Sequence, residues 1–260
     1  MAEIEASLYN WSSPTDKDQT GPSLSVVVPM YNEAENAPIL VREIADALQG
    51  YSFEIVVVDD RSSDKTREIL GDLRVQVPQL RVICHSANAG QSRSVRTGII
   101  AARAPIISTL DGDGQNNPAD IPALFGHLTR PGAPDNLVMV AGERQKRQDS
   151  KAKLYASSFA NKVRQRLLDD GAKDSGCGLK VFYREAFLRL PYFDHVHRYL
   201  PALIRRDGLK VEFCPISHRP RLHGVSKYNN LQRGFVAIRD LMGVLWLKAR
   251  SRHPGKISEL

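Results

Sequence analysis

The chain has 260 residues, 42% of them hydrophobic, which is enough for one large α/β domain with a full core. It has 36 Lys and Arg against 29 Asp and Glu, and the net charge of +7 favours anionic partners such as nucleotides or phospholipid surfaces. Residues 1–23 lack the basic and apolar regions of a signal peptide, and no apolar run reaches the roughly 18–20 residues that span a bilayer. We therefore expect a flexible arm at residues 1–23, and a protein that is cytoplasmic or peripheral on the cytoplasmic face of the membrane.

Strand and helix patterns alternate along the first half of the chain. The predicted strands lie near residues 24–29, 53–58, 80–84, 105–110 and 137–141, and the predicted helices near 34–48, 64–74, 91–102 and 118–128. This alternation is typical of βαβ crossovers. It predicts an α/β fold with a mostly parallel central sheet flanked by helices.

The pattern becomes less regular after residue 142. A charged loop at 142–151 precedes predicted helices near 152–168 and 196–207, strands near 178–183 and 210–214, and a final helix at 230–249. Because no Gly- or Ser-rich linker separates the two halves, we predict one domain over residues 24–229. An amphipathic helix and basic tail would follow at 230–260.

Carboxylates follow the predicted fourth strand in the sequence Asp111-Gly112-Asp113-Gly114-Gln115. Carboxylates at the carboxyl end of a buried strand are poorly placed for packing, but they are well placed to hold a divalent cation against a diphosphate. An Asp-x-Asp pair alone is common in surface turns, so the neighbouring loops matter. Polar loops also follow the first three strands, at 29–33, 59–64 and 88–92.

These loops carry a family resemblance. The motifs P-M-Y-N-E, V-V-D-D-R-S-S-D, N-A-G-Q-S and D-G-D-G-Q, in this order and spacing, resemble those of the inverting family 2 glycosyltransferases, which have the GT-A fold. D-S-G-C-G-L-K at 174–180 and R-P-R-L-H-G-V-S-K-Y at 219–228 resemble the polyprenyl-phosphate branch, which includes the dolichol-phosphate mannose synthases. The resemblance covers about residues 22–248, and no dinucleotide fingerprint or P-loop competes with it.

The resemblance implies a role for each matching residue. The nucleotide sugar would be bound by Pro29, Tyr31, Glu33, Asp59, Asp60, Gln91, Asp111 and Lys227. The metal, Mg²⁺ or Mn²⁺, would be held by Asp111, Asp113 and Gln115. A divalent cation suits this reaction because negative charge builds up on the leaving β-phosphate.

Cationic side chains are the second requirement, because a sugar diphosphate and a lipid phosphate repel each other in a cleft of low dielectric. We expect Arg144, Arg147 and Ser226 to bind the acceptor phosphate, and Arg221 to act in catalysis with Asp113. A solvated charged face remains the alternative for the first two arginines.

Asp174 is the remaining catalytic candidate, either as a base or as a positioning carboxylate. A phosphate monoester is already mostly ionised at neutral pH, so it needs little deprotonation. This favours the positioning role for a lipid-phosphate acceptor. A sugar hydroxyl acceptor would instead require a base.

The final helix has apolar residues at helical spacing, including Trp246. It either packs on the core or lies on lipid headgroups with its basic tail. A membrane-anchored partner and a homo-oligomer also remain open.

The expected function is metal-dependent, inverting transfer of a hexose from GDP-mannose or a UDP-hexose to dolichyl or undecaprenyl phosphate. The alternative is a family 2 enzyme that extends a polysaccharide or glycolipid at a hydroxyl group. Nucleic-acid binding is disfavoured, because only 7% of residues are aromatic and they do not interleave with the basic residues.

Overall fold

A computed structural model describes residues 21–144, 164–174, 176–220 and 230–251, and for residues 230–235 the backbone alone. Seven strands form one sheet: β1 (Leu24–Met30), β2 (Phe53–Asp59), β3 (Leu80–Cys84), β4 (Ile106–Thr109), β5 (Leu137–Arg144), β6 (Lys180–Tyr183) and β7 (Lys210–Ile216). Their order is β3-β2-β1-β4-β6-β5-β7. β6 runs antiparallel to both its neighbours and the other described pairings are parallel, so the predicted mostly parallel sheet is confirmed.

Helices flank the sheet. They are α1 (Ala37–Ala47), α2 (Thr66–Gln76), α3 (Gln91–Ala101), α4 (Ile121–Thr129), α5 (Arg184–Leu188), α6 (Leu200–Arg206) and α7 (Asn230–Ala249). Single 3₁₀ turns lie at Pro118–Asp120 and Val196–Arg198, and residues 164–168 are also helical. The predicted stretch near 196–207 is thus a 3₁₀ turn followed by α6, and the sequence pattern did not predict α5.

Parallel strands covered on both faces read as continuous apolar runs, and β1 and β2 show this directly. Their central valines, among them Val27 and Val57, are fully buried. Gly98 of α3 packs so closely that a Cβ there would overlap Val27. α3 therefore lies directly on β1, and its first residue, Gln91, is brought towards the carboxyl ends of the strands.

The charged loop predicted from residue 142 does not begin at that residue. Gly142, Glu143 and Arg144 continue β5, because they pair with Cys214, Pro215 and Ile216 of β7. The predicted loop was therefore wrong for these three residues. Most of the predicted arm at 1–23 and of the helix at 152–168 lies outside the described residues, and the domain boundaries stay predictions.

α7 packs on the core with one face, and its contact with lipid stays a prediction. Val244 is fully buried, and the neighbouring Leu241 and Leu245 pack against the core. On the other side Ile238, Met242 and Trp246 are 58%, 59% and 61% exposed. None of the helices in the described part of the chain has the length and apolarity to cross a membrane.

An ion cluster on β7 gives a stability prediction. Glu212 accepts hydrogen bonds from Lys210 at 2.8 Å, His127 at 2.7 Å and Arg130 at 2.9 Å, and these partners, Lys210 first, lower its pKa to about 2. A carboxylate with a depressed pKa stabilises the folded state above its unfolded pKa, and this contribution is lost as the pH falls through the folded value.

We expect Glu212→Gln to lower the free energy of unfolding at pH 7 by about 1 kcal/mol, a small figure because the cluster is partly exposed. The difference between wild type and variant should shrink as the pH falls below about 4.5 towards 2, because Glu212 itself becomes protonated in this window. Urea unfolding at pH 7 and at pH 3.5 measures it. An equal difference at both pH values would contradict the assigned charge cluster.

Candidate active site

The candidate site lies at the carboxyl edge of the sheet, where the strand order reverses direction. The chain passes from β1 to β2 on one side and returns to β4 on the other, so the loops after β1 and β4 are neighbours. Ligands of open α/β sheets bind at this kind of switch point. Gly112 shows how close the loops are, because a Cβ at this residue would lie 2.7 Å from the Pro29 carbonyl oxygen.

Asp111 has two close neighbours. The Gln91 side-chain amide donates a hydrogen bond to Asp111 Oδ1 at 2.7 Å. Gly178 packs so closely that a Cβ added there would lie 2.5 Å from Asp111 Cγ. Burial and the nearby charge of Asp113 raise the pKa of Asp111 to about 6, although Lys180 and other cations act in the opposite direction.

Asp113 and Gln115 form the outer part of the same loop. The Gln115 backbone N–H donates to Asp113 Oδ1 at 3.2 Å, and Gly114 between them has a φ of +73°, which favours glycine. Two close carboxylates of like charge and an amide oxygen form a hard, oxygen-only donor set that suits Mg²⁺ or Mn²⁺. Within the part of the chain that the structure describes, no three His, Cys, Asp or Glu side chains cluster to hold a metal, so water or diphosphate would supply the other ligands.

Two cations beside Asp111 were missed in the sequence. Lys180 of β6 is only 3% exposed, and its Nζ donates to the Cys177 carbonyl oxygen. Burial lowers the pKa of Lys180, and Asp111 is among the charges that raise it. Arg198, from the turn at Val196–Arg198, also acts electrostatically on Asp111. A lysine inside an apolar strand run could have indicated a buried functional cation at Lys180. No local sequence pattern indicates a role for Arg198.

Arg144 and Asp174 are joined in a bidentate ion pair. Arg144 Nε lies 2.5 Å from Asp174 Oδ2, and Arg144 Nη2 lies 2.7 Å from Asp174 Oδ1. Their side chains are only 14% and 9% exposed, so a solvated face is wrong for Arg144. Burial lowers the pKa of Arg144, but Asp174 outweighs this and raises it overall. A carboxylate that accepts two guanidinium hydrogen bonds is a poor proton acceptor, which favours a positioning role for Asp174.

The second carboxylate pair, Asp59 and Asp60, is almost fully buried. Asp60 accepts hydrogen bonds from the backbone N–H groups of Ala89 and Gly90, both at 2.8 Å, and so shapes the loop before α3. Asp59 accepts one from the Ser62 N–H at 3.2 Å. These contacts are internal to the protein, and the nucleoside roles of both residues stay predictions.

The loop after β1 is joined to the loop after β2. The Asn32 backbone N–H donates to Ser62 Oγ at 2.9 Å, and Glu33 N–H donates to Thr66 Oγ1 at 2.8 Å. Tyr31 is partly exposed beside these contacts, as a side chain that stacks on a base would be. The loop that contains Tyr31 and Glu33 therefore lies against the second loop, and the nucleoside roles of Pro29, Tyr31 and Glu33 stay predictions.

Four predicted site residues, Arg147, Arg221, Ser226 and Lys227, lie outside the described residues. The chain before residue 221 is described, and it runs along the loop after β4. The Arg219 N–H donates to the Gln115 carbonyl oxygen at 3.1 Å, and the Arg219 guanidinium binds Glu43 of α1 at 2.8 Å. Ser217 is likewise held by Asp120.

Comparison with known proteins identifies the family. The sequence profile of glycosyl transferase family 2 matches residues 25–190. The chain belongs to glycosyltransferase family 2. This family 2 enzyme is 32% identical over 241 residues to the dodecaprenyl-phosphate galacturonate synthase of Rhizobium johnstonii, covering 89% of this chain and 69% of that one. It is 31% identical over 209 residues to an undecaprenyl-phosphate 4-deoxy-4-formamido-L-arabinose transferase of Enterobacter, covering 79% of this chain and 62% of that one.

Solved structures of low sequence identity share the fold. Mannosyl-3-phosphoglycerate synthase of Rubrobacter xylanophilus has a TM-score of 0.70 at 16% identity, covering 90% of this transferase and 78% of that chain. A mannosyltransferase of Pyrobaculum calidifontis, solved with GDP-Man and Mn²⁺, has a TM-score of 0.63 at 20% identity, covering 91% and 67%. This likeness confirms the GT-A fold.

Proposed function

We propose that this enzyme transfers a hexose from a nucleoside diphosphate sugar to a polyprenyl phosphate, with inversion at the anomeric carbon. The observation that carries the proposal is the Asp111–Asp113 pair after β4, with the cations Lys180, Arg144 and Arg198 close enough to act on Asp111. Such a site suits a reaction in which two phosphate groups come together. The names of the two curated relatives support polyprenyl phosphate as the acceptor.

Asp111 and Asp113, with Gln115, are the residues that would hold Mg²⁺ or Mn²⁺. When bound, the cation neutralises the charge that builds up on the leaving β-phosphate. Glucosyl-3-phosphoglycerate synthase of Mycobacterium tuberculosis, a fold neighbour with a TM-score of 0.65 at 17% identity, was solved with Mn²⁺ and UDP. Gln91 orients Asp111 for this role through its amide hydrogen bond.

The reaction is a single displacement at C1 of the sugar. An oxygen of the acceptor phosphate attacks C1 from the face opposite the diphosphate. The new C–O bond forms as the C1–O bond to the β-phosphate breaks, and the nucleoside diphosphate leaves with the bonding electrons. No general base is needed, because the acceptor oxygen is already ionised. Asp174 instead fixes Arg144, whose guanidinium would face the acceptor phosphate.

The remaining acceptor contacts would come from Arg147 and Ser226. Arg221 would act in catalysis, and Lys227 would contact the donor. The position of Arg219 beside Gln115 supports this assignment for the three later residues, because Arg221 is two residues further along the chain. A hydroxyl acceptor is less well supported, because Asp174 would then have to be the base while paired with Arg144.

A transfer assay with the purified full chain tests the function. Labelled GDP-mannose and a panel of UDP-sugars are each offered to a short-chain polyprenyl phosphate and, separately, to the matching polyprenol. We expect transfer to the phosphate alone, and loss of transfer on adding EDTA. Transfer to the free alcohol, or to a saccharide hydroxyl, would contradict the proposed acceptor. Thermal shifts with the same panel identify the donor, because a bound ligand stabilises the fold.

The acceptor lipid requires contact with a membrane, and we propose that α7 provides it. Ile238, Met242 and Trp246 repeat at a spacing of four residues on the exposed face, and Arg239 and Arg250 are exposed beside them. Such a helix binds in the interfacial plane of anionic lipid. The enzyme would then be peripheral on the cytoplasmic face.

We expect Trp246→Glu to weaken binding to anionic vesicles by about tenfold or more, since burying one large apolar side chain contributes about 1.5–3 kcal/mol. Vesicle flotation at low salt measures it. Val75→Glu is the matched control, because Val75 of α2 is an exposed apolar residue and receives the same new charge. If the wild-type protein remains with the soluble fraction, α7 does not bind lipid, and docking on a membrane-anchored partner becomes the better account.

A further inference from the structure

The turn at Val196–Arg198 is bonded to the first turn of α3. His197 Nδ1 lies 2.7 Å from Ser92 Oγ, although the two residues are 105 positions apart in the chain. Ser92 is buried, and it directly follows Gln91, the residue whose amide donates to Asp111. His197 is thus hydrogen-bonded to the residue next to Gln91, and Gln91 in turn is hydrogen-bonded to the candidate metal ligand Asp111.

The start of α3 needs such support from elsewhere in the fold. Its N-cap residue is Gly90, with φ +84°, and no side chain caps the helix at this position. The first backbone N–H groups of a helix have no intrahelical partner, and an uncapped first turn frays. Asp60 fixes Ala89 and Gly90 just before the helix. The bond from Ser92 to His197 joins the first turn itself to another element, in addition to the Gln91–Asp111 bond and the bond from Ser94 Oγ to the Gly90 carbonyl oxygen.

The surroundings of His197 suit a neutral imidazole. Burial lowers its pKa well below the usual value, and the nearby cations Arg198 and Lys180, then His195, act in the same direction. A neutral imidazole has one donor and one acceptor nitrogen, and both kinds pair with a serine hydroxyl. The bond therefore persists at neutral pH.

We propose that His197 is a positioning residue of the donor site, holding the first turn of α3 through Ser92 so that the Gln91 amide remains on Asp111. The inference rests on the proposed function, because it assigns Asp111 to the metal and diphosphate. His197 itself touches neither. Its effect is the preorganisation of a ligand, which acts on donor binding more than on the chemical step.

Two substitutions at residue 197 separate this role from simple packing. His197→Phe keeps a planar ring without the hydrogen bond, and His197→Asn places an amide near the position of Nδ1. We expect the Phe variant to weaken Mn²⁺-dependent UDP or GDP binding by about three- to tenfold, the value of one hydrogen bond, with kcat changed less. The Asn variant should restore most of the affinity. Titration with Mn²⁺ alone, followed by electron paramagnetic resonance, gives a readout without turnover.

Amide hydrogen exchange of a peptide covering the start of α3 provides a second readout, measured without metal or nucleotide. We expect faster exchange in His197→Phe and in Ser92→Ala. The double variant should be no worse than either single one, because both remove the same bond. If His197→Phe fails to fold, Ser92→Ala carries the test alone.

His195→Phe is the matched control. His195 lies in the same segment, but it is bonded at 2.9 Å to Asp240 of α7 and not to α3. We expect it to lower thermal stability while donor affinity and exchange in α3 stay unchanged. Wild-type donor affinity and wild-type exchange in both His197→Phe and Ser92→Ala would overturn the inference. If the wild-type enzyme itself binds no nucleotide, the proposed function fails, and the exchange measurement still decides the role of His197.

Discussion

Asp113→Ala is expected to lower sugar transfer by about a thousandfold, the effect of losing one group that stabilises charge in a transition state. Asp113 is one of two carboxylates at the end of β4, and its removal leaves Asp111 without a second anionic ligand for the cation. Mn²⁺-dependent donor binding should be lost together with turnover. The protein should remain folded, because Asp113 lies in the surface loop after β4 and is no part of the core.

The measurement is kcat/KM at saturating Mn²⁺, with circular dichroism as the check of the fold. Asp72→Ala is the matched control, because Asp72 is an exposed carboxylate on α2, away from the loops at the carboxyl edge. It should behave as wild type. Full activity of a folded Asp113→Ala protein would exclude the proposed metal site.

Gly178→Ala is expected to have the second largest effect, although it removes no functional group. The added methyl would lie 2.5 Å from Asp111 Cγ and 2.7 Å from its Oδ1, so the carboxylate has to leave the position in which it accepts the Gln91 hydrogen bond. A displacement of about 1 Å at a reacting site costs about a hundredfold in rate. We expect a loss of this size in kcat/KM, together with weaker Mn²⁺ binding.

Gly126→Ala is the corresponding control for a glycine substitution. Gly126 lies in α4, and a Cβ there would meet nothing within 4 Å. Its activity should be unchanged, and its stability should rise slightly because alanine has the higher helix propensity. If Gly178→Ala retains both activity and Mn²⁺ affinity, the assignment of Asp111 as a metal ligand is contradicted.

Local pattern was sufficient to predict the first half of the fold. β1 and β2 are seven-residue strands with nearly continuous apolar centres that are buried on both faces, so their sequences alone indicate parallel strands. The antiparallel position of β6, between β4 and β5, was not predicted. It depends on pairing between strands that are far apart in the chain, and no local periodicity reports such pairing.

The candidate site also has one part that the sequence predicts and one part that it does not. Asp111 and Gln91 follow predicted strands, so the topology alone places them at one edge of the sheet. The pairing of Arg144 with Asp174 could not be predicted, because it depends on β5 extending to Arg144 against β7. Arg198 acts electrostatically on Asp111, and the role proposed for His197 likewise depends on tertiary contacts of the same 3₁₀ turn. The local sequence of such a turn does not show which distant residues it contacts.

The exposed face of α7 also affects how the purified protein behaves in water. Ile238, Met242 and Trp246 form a continuous apolar strip on a charged surface, and two copies that bring these strips together remove them from solvent. In buffer without lipid, self-association would occupy the same side chains that vesicles would otherwise cover. We expect the apparent mass in gel filtration to fall when mild detergent is added, and Trp246→Glu to be insensitive to it. Low activity in detergent-free buffer would then mean that the exposed face of α7 is covered by a second copy, and not that the enzyme is unfolded.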